Sequence, residues 1–348
     1  MLRRQGLAYK EAASGQRVTR FMIVVTGGAG FIGSNLVAAL ADRGEKRIVV
    51  SDTLDHPAKK ANLEKHPTAD LVAPGDLGRW LEKNGRHVDV VFHMGATSAT
   101  TVTDMEHLLD NNVGRSLDLW RWCSKNRRRL IYASSAATYG DGSEGFDDEN
   151  DAAAIARLNP LNPYGLSKQI FDMTAILLAR GGFAPAQWAG LKFFNVYGPN
   201  EQHKADQRSV VVQLYEQIST GGAARLFRSH HPDYSHGGQL RDFIWIGDCI
   251  DVMLWLYDTP SANGIFNCGT GRARSFLDLA NACFAAIGRE PRIEYIDTPE
   301  AIRAKYQYFT EARMSRLREA GYDRAFTPLE TGVALYIRKF LATNDPRR

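Results

Sequence analysis

The chain has 348 residues, 44% of them hydrophobic and 24% charged, a balance that suits a globular protein with one large lobe and a smaller one. No apolar run reaches the length of a membrane span, and the formal charge of +4 is accounted for by residues 1–21, where Arg3, Arg4, Lys10, Arg17 and Arg20 face only Glu11. These figures argue against a membrane protein and against a nucleic-acid-binding one. The basic segment 1–21 lacks the apolar core of a secretory signal, and it reads as a flexible extension on a cytoplasmic protein.

The apolar run Met22-Ile23-Val24-Val25 predicts a strand buried on both faces, and it leads into Thr26-Gly27-Gly28-Ala29-Gly30-Phe31-Ile32-Gly33-Ser34. Glycines at 27, 30 and 33 give the turn of a dinucleotide site, allowing a tight bend, close approach of backbone to a pyrophosphate, and close packing of helix on strand. A helix from Phe31 to Arg43 and a strand from Arg47 to Ser51 follow, ending at Asp52, where an acid binds a ribose hydroxyl and favours NAD. Lys59 and Lys60 lie close behind and could neutralise the 2′-phosphate of NADP, so the residues leave the two cofactors open.

The next strand, Val88 to His93, ends in Gly95, Ala96 and Thr97, small enough to let a cofactor lie close. A helix from about Asp104 to Cys123 and a strand from Leu130 to Ser135 follow, and Pro163 opens a helix that runs to about Arg180. This alternation predicts a doubly wound parallel sheet of Rossmann type, with ligands at the carboxyl ends of its strands. The 22–190 segment reads as the dinucleotide-binding domain, with its sheet completed by later segments. Residues 191–348 read mainly as a smaller, interleaved α/β substrate lobe.

Tyr164 and Lys168 form the single Tyr-x-x-x-Lys of the chain and fall on one helical face, one element after a strand ending in Ser134-Ser135. Oxidation of an alcohol by a nicotinamide needs a base for the hydroxyl proton, and a tyrosine serves only if its pKa, ordinarily about 10, is brought down. A lysine ammonium beside it does so, and the Ser135 hydroxyl can hold the substrate oxygen. In the second half, the strand from Leu191 to Pro199, the polar loop from Asn200 to Arg208, the segment Leu226 to Ser229, the loop His230 to Gln239 and the stretch Arg241 to Asp248 form the substrate-facing set. Arg241 can fork onto a diphosphate. Helices are expected over Asp248–Tyr257, Ser275–Ile287, Glu311–Glu319 and Leu329–Leu341. The four cysteines are too far apart for a ligand motif. His230, His231 and His236 share a loop without supporting ligands, and no metal is expected.

With Thr26 to Gly33, Ser134-Ser135, Tyr164 and Lys168 together, the chain resembles the extended short-chain dehydrogenase/reductases that act on nucleotide sugars. Within that group it is similar to the ADP-L-glycero-D-manno-heptose 6-epimerases. The resemblance covers nearly all of Met22 to Leu341, and the narrower match rests on Ala133-Ser-Ser-Ala-Ala-Thr-Tyr-Gly140, Phe194-Asn-Val-Tyr-Gly-Pro199 with His203-Lys204, Gly264-Ile-Phe-Asn-Cys-Gly-Thr-Gly-Arg272, and Tyr306-Gln-Tyr-Phe-Thr310. It implies inversion at C6″ of ADP-D-glycero-β-D-manno-heptose, a precursor of the lipopolysaccharide core, through a transient keto sugar and a tightly held NADP that is regenerated. By the same resemblance Tyr164 and Lys204 are acid/base residues, assisted by Ser135 and Lys168. Cofactor contacts fall to Gly27, Gly30, Phe31, Ile32, Gly33, Asp52, Thr53, Lys59, Gly95, Ala96, Thr97, Asn111, Lys168 and Val196, and substrate contacts to Asn195, Asp206, Gln213, Phe227, Ser229, Arg241 and Tyr306. A homo-oligomer, a pentamer, is also implied. Three features depart from the family pattern: Thr53 in place of an asparagine, Ala205-Asp206 after Lys204, and a long loop from His230 to Gln239. UDP-hexose 4-epimerases share the glycines, the tyrosine and the lysine and form the alternative. A noncatalytic dinucleotide-sensing module commonly lacks the tyrosine or the lysine, and both are present here.

Overall fold

The computed structural model describes residues 21–303 and 306–348, so the segment expected to be a flexible extension lies, except for Phe21, outside the described residues. In chain order the strands are β1 (Met22–Thr26), β2 (Ile48–Ser51), β3 (Asp70–Val72), β4 (Val88–His93), β5 (Arg129–Ser135), β6 (Gln187–Phe193), β7 (Asn195–Tyr197), β8 (Ala224–Phe227), β9 (Leu240–Arg241), β10 (Phe243–Trp245), β11 (Gly264–Cys268), β12 (Arg274–Ser275) and β13 (Ile293–Ile296). Seven of them form one parallel sheet in the order β11-β6-β5-β4-β1-β2-β3. The doubly wound Rossmann-type sheet expected from the sequence is therefore present, and its order reverses between β1 and β4, where ligands of such sheets bind.

Both faces of the sheet are covered, which is why β1 reads as an unbroken apolar run. Side chains alternate along it: Ile23 and Val25 pack with Leu36, Leu40, Cys249 and Met253, whereas Val24 packs on the other side with Leu81, Trp120, Phe171 and Ile176. A separate core, built on Leu214, Ile218, Leu226, Phe284 and Val333, joins helices Val210–Ser219, Phe276–Ile287 and Leu329–Tyr336 over the β8–β13 pair. All four cysteines are free and buried. No helix among the described residues is long and apolar enough to cross a membrane.

Some boundaries differ from the sequence reading. The helix expected from Asp104 to Cys123 is three pieces, Met105–Leu108, a π-helical turn Leu109–Gly114, and Arg115–Lys125. The one expected from Glu311 covers only Ser315–Glu319, and before it the amides of Ala312 and Arg313 bond Asp242 and the Phe146 carbonyl. The stretch from Leu191 to Pro199 is two strands: β6 belongs to the large sheet, while β7 leaves it to pair with β10. The polar loop after Asn200 contains a 3₁₀ turn over Gln202–Gln207. Strands β3 and β13 had no clear sequence signal, since both are half-exposed at sheet edges.

Candidate functional site

The glycine turn takes the form its sequence demands. Gly27 has φ +64° and lies so close to the next strand that a Cβ would meet the Gly95 nitrogen at 2.5 Å; a Cβ on Gly33 would run into the Gly27 carbonyl. The helix Phe31–Asp42 then begins at Gly30 with no side-chain cap, so the leading amides of Phe31 and Ile32 face the carboxyl edge of the sheet. Asp52, at the end of β2, accepts the Ala29 amide at 2.9 Å, and Lys59 reaches back to it at 3.3 Å and to the Thr53 hydroxyl at 3.1 Å. Lys60 lies exposed on the short helix that carries Lys59.

The β4 end of the cleft is organised around a buried His93. The Gly95 amide donates to the Thr26 hydroxyl at 3.2 Å, leaving that hydroxyl to donate to His93 Nδ1 at 2.6 Å. On the other side Ser116 donates to the Asn112 carbonyl at 2.6 Å and accepts from His93 Nε2 at 2.9 Å. The chain of bonds assigns a neutral imidazole protonated on Nε2. Burial, with Lys168 and Arg115 nearby, pushes its pKa down to about 3. Asn112 in turn brackets Thr97, accepting its amide at 2.8 Å and donating to its carbonyl at 3.0 Å, while Asn111 donates to the Thr97 hydroxyl at 2.9 Å. The π-helical turn is what aims these neighbouring asparagines at one loop.

Tyr164 and Lys168 lie near the start of the helix Pro163–Arg180, which is capped by Asn162 accepting the Gly165 amide at 2.8 Å. Both are buried. Burial, with Asp172 adding to it, holds the Tyr164 phenol above its ordinary range, against the opposing effect of the Ser135 hydroxyl. Lys168 donates to the Ala133 carbonyl at 2.8 Å, and burial pulls its pKa down to about 8 against the opposing pull of Asp172.

Lys204 arrives from the other half of the chain. Its ammonium stands 5.1 Å from the centre of the Phe31 ring, at the head of the glycine-turn helix, and burial lowers its pKa against the pull of Glu201. The segment carrying it is stitched to that helix: Asn35 donates to the Pro199 carbonyl at 3.0 Å, Asn62 to the Asn200 carbonyl at 3.2 Å, and Asn200 to the Ser34 hydroxyl at 2.9 Å. Glu201, fully buried, anchors the other side by accepting the Ser209 amide and hydroxyl at 2.6 Å each and the Tyr336 hydroxyl at 2.9 Å. Burial, and after it the charges of Lys59 and Lys204, push the His203 pKa down to about 4, and its buried Nδ1 has no partner among the described residues.

Arg241 is 8% exposed and, among the described residues, pairs with no carboxylate. It stacks 5.5 Å from the Tyr306 ring and 5.6 Å from Phe276, and Phe227 meets Tyr306 edge-on at 6.1 Å. A buried, unopposed guanidinium between aromatic rings is a seat for an anion. Asp242 next to it is buried and holds the Thr270–Gly271 turn and Ala312 through their amides. Asn195 is exposed on β7, opposite Phe243, and Val196 is half-buried beside it. The long loop adds an aromatic layer: His231, Tyr234 and Tyr308 lie 5.1 to 5.3 Å apart, and Tyr308 continues to Tyr306. Ser229 is used inside that loop, its amide donating to His236 Nδ1 at 3.1 Å and its hydroxyl to the His231 carbonyl at 3.0 Å. Asp206 and Gln213 stand apart from this cluster, lining an open groove with Glu216, Arg225 and Glu294.

The structure thus gathers the glycine turn, Asp52, Lys59, the Thr97 loop, Ser135, Tyr164, Lys168 and Lys204 along one edge of the sheet. Thr26, His93, Asn112, Asp172 and Lys192 also support it; of these Thr26 belongs to the glycine-turn motif, and Asp172 left a signal in its spacing of four residues from Lys168 on the helix face that carries Tyr164. Uncapped amides, an acid with a lysine over it, and the orphaned His203 nitrogen together fit a phosphate-bearing dinucleotide.

A Rossmann sheet with a Ser-Tyr-Lys set and an anion seat in the second lobe defines a nicotinamide-dependent enzyme of nucleotide sugars. The chain belongs to the NAD dependent epimerase/dehydratase family, whose model matches residues 23–269. Its relatives include the ADP-L-glycero-D-manno-heptose-6-epimerases of Nitratidesulfovibrio vulgaris, 52% identical over 93% of this chain and 99% of that protein, and of Fusobacterium nucleatum, 42% identical with the same shares covered. Among solved structures, ADP-L-glycero-D-manno-heptose-6-epimerase of Helicobacter pylori superposes with a TM-score of 0.75 at 27% identity, covering 94% of this chain and 99% of that one. UDP-glucose 4-epimerase of Thermus thermophilus, solved with NAD, gives 0.70 at 25% identity over 90% and 97%. The protein is an epimerase that uses a nicotinamide cofactor on a nucleotide sugar.

Proposed function

We propose that the protein inverts C6″ of ADP-D-glycero-β-D-manno-heptose, giving the L-glycero epimer, with NADP as the held cofactor. The observation that carries this reading is the 52% identity to a heptose 6-epimerase over nearly the full chain, joined to a buried Tyr164 with Lys168 a turn away on the same helix and Ser135 acting on the phenol. NADP is favoured over NAD by Lys59 lying across Asp52 and Thr53, where the cation would answer a 2′-phosphate, with His203 behind it. We assign the cofactor contacts to Gly27, Gly30, Phe31, Ile32, Gly33, Asp52, Thr53, Lys59, Gly95, Ala96, Thr97, Asn111, Lys168 and Val196. Asn195, Phe227, Ser229, Arg241 and Tyr306 face the sugar nucleotide.

The nicotinamide, when bound, supplies a hydride acceptor and then a donor at the same carbon. The protein's part is proton handling and orientation. Tyr164 takes the hydroxyl proton as the keto sugar forms, helped by the Lys168 charge, and Ser135 holds the sugar oxygen. Inversion requires the returning hydride to meet the opposite face, so the reacting group is presented in two orientations. Lys204, its ammonium partly desolvated over Phe31, serves as the second acid/base for the other orientation. Arg241 holds the diphosphate while the sugar end turns. Residues 22–190 supply most of the cofactor site and 191–348 most of the substrate site. The protein works in the cytoplasm as a homo-oligomer, a pentamer.

The test is a substrate comparison with the purified protein: ADP-D-glycero-β-D-manno-heptose against UDP-galactose and UDP-glucose. Epimerisation of the heptose alone is expected. Turnover of the UDP-hexoses with none of the ADP-heptose would transfer the assignment to the 4-epimerases.

A further inference from the structure

Behind Tyr164 and Lys168 lies an ion pair that is almost wholly closed to solvent. Asp172 follows Lys168 by one helical turn, on the same face, and its carboxylate meets the Lys192 ammonium at 3.0 Å with side-chain exposures of 0% and 1%. Lys192 reaches it from β6, where it lies in register with Ser134 on β5. The carboxylate also accepts from the Tyr132 hydroxyl at 3.0 Å and the Ser134 hydroxyl at 2.6 Å. Lys192 donates to the Thr138 hydroxyl at 2.6 Å and stands 4.7 Å from the centre of the Tyr139 ring, and Thr138 donates to the Ser135 carbonyl at 2.9 Å. One network therefore fixes Ser134 and the Ser135 carbonyl and ends at the helix carrying Tyr164.

We propose that Lys192 is a positioning residue of the active site: by neutralising Asp172 it leaves Lys168 as the unopposed cation beside Tyr164, and through Thr138 it holds Ser135 against the phenol. The proposal rests on the assignment of Tyr164 as an acid/base of the epimerase.

The physical ground is the low dielectric of the pair's surroundings. Charges a few ångströms apart act strongly there, and a lone buried carboxylate a turn from Lys168 would cancel its field at the phenol. Asp172 already acts in that direction, raising the pKa of both Tyr164 and Lys168. The charged and titratable groups packed around the pair and the dyad are Asp172 on the helix, Lys192 on β6, Tyr132 on β5, Tyr139 on the turn after it with Asp148 and Asp147 acting on it from behind, His93 on β4 and Arg115 beyond it. His93 is neutral and both tyrosines are held protonated by burial, so apart from Lys168 itself Lys192, in direct contact at 3.0 Å, is the cation that answers Asp172.

The experiment measures kcat/KM for epimerisation against pH in the wild type, Lys192→Met, Lys192→Gln, Lys192→Arg, and Asp172→Asn combined with Lys192→Gln. Lys192→Gln removes the charge yet retains an amide donor for Thr138 and Asp172, so it carries the test if Lys192→Met does not fold. The acidic limb of the profile is expected to move up by about one pH unit in Lys192→Gln, a roughly tenfold loss below it. It should return to the wild-type position in Lys192→Arg and in the double variant, with bound nicotinamide content unchanged throughout. An acidic limb at the wild-type pH in Lys192→Gln, accompanied only by lower thermal stability, would reduce the pair to a structural role and overturn the proposal. Full activity in Tyr164→Phe, measured in parallel, would instead overturn the acid/base assignment beneath it.

Discussion

Among single residues, His93 ties the stability of the cofactor cleft to pH. Its pKa in the folded protein is about 3, against about 6.5 in an unfolded chain, so between those values the unfolded state binds the extra proton. Stability from this group is complete above the unfolded value and is lost as pH falls toward the folded one. The loss is on the order of a few kcal/mol by pH 4. Asp148 has the opposite sense: burial raises it to about 6, so the folded state binds its proton more tightly and stability declines as pH rises through the interval up to 6. Thermal melts across pH 4 to 8 should therefore show a smaller loss on acidification for His93→Asn than for the wild type. A second residue-scale expectation concerns Arg241. With no carboxylate to answer it, Arg241→Ala should raise KM for the sugar nucleotide about tenfold or more while the bound cofactor content is unchanged, and Arg241→Lys should recover only part, because a point charge lacks the fork.

At the scale of elements, the glycine turn and the helix Pro163–Arg180 were legible because their constraints are local. Gly33 must be glycine since any Cβ meets the Gly27 carbonyl, and Gly33→Ala is expected to lose the cofactor and cost about 1–3 kcal/mol in stability, read by nicotinamide content and a urea melt. Tyr164, Lys168 and Asp172 repeat at helical spacing, so their shared face could be read from the sequence. The partner of Asp172 could not, because Lys192 meets it only through the β5–β6 register. The Lys204 segment was opaque for a related reason. It is shaped by positive φ at Asn200 and Ala205 and by side-chain bonds from Asn35 and Asn62, contacts more than a hundred residues apart that leave no periodic trace. The sequence reads as ordinary helix across the π-helical turn, since its one extra residue barely disturbs the apolar pattern. For Lys204, the two-base reading predicts that Lys204→Met slows reaction of one epimer more than the other in single-turnover half-reactions. Equal loss with both epimers would contradict it.

Over the whole molecule, the chain places the glycine turn near its start and Lys204, which we propose as the second acid/base, almost 180 residues later at one sheet edge, and the Asn200 network is the physical link between them. The second lobe, with its own core, carries the buried Arg241 between Tyr306 and Phe276. The central claim is that one carbon of the sugar is oxidised and then reduced on its other face by the same held cofactor. The measurement that tests it most directly is proton and deuterium NMR of ADP-D-glycero-β-D-manno-heptose carrying deuterium at C6″, incubated with the protein and no external reductant. The account predicts conversion to the L-glycero epimer with the label retained at C6″ and no nicotinamide consumed. Loss of the label to solvent, or inversion at another carbon, would contradict it.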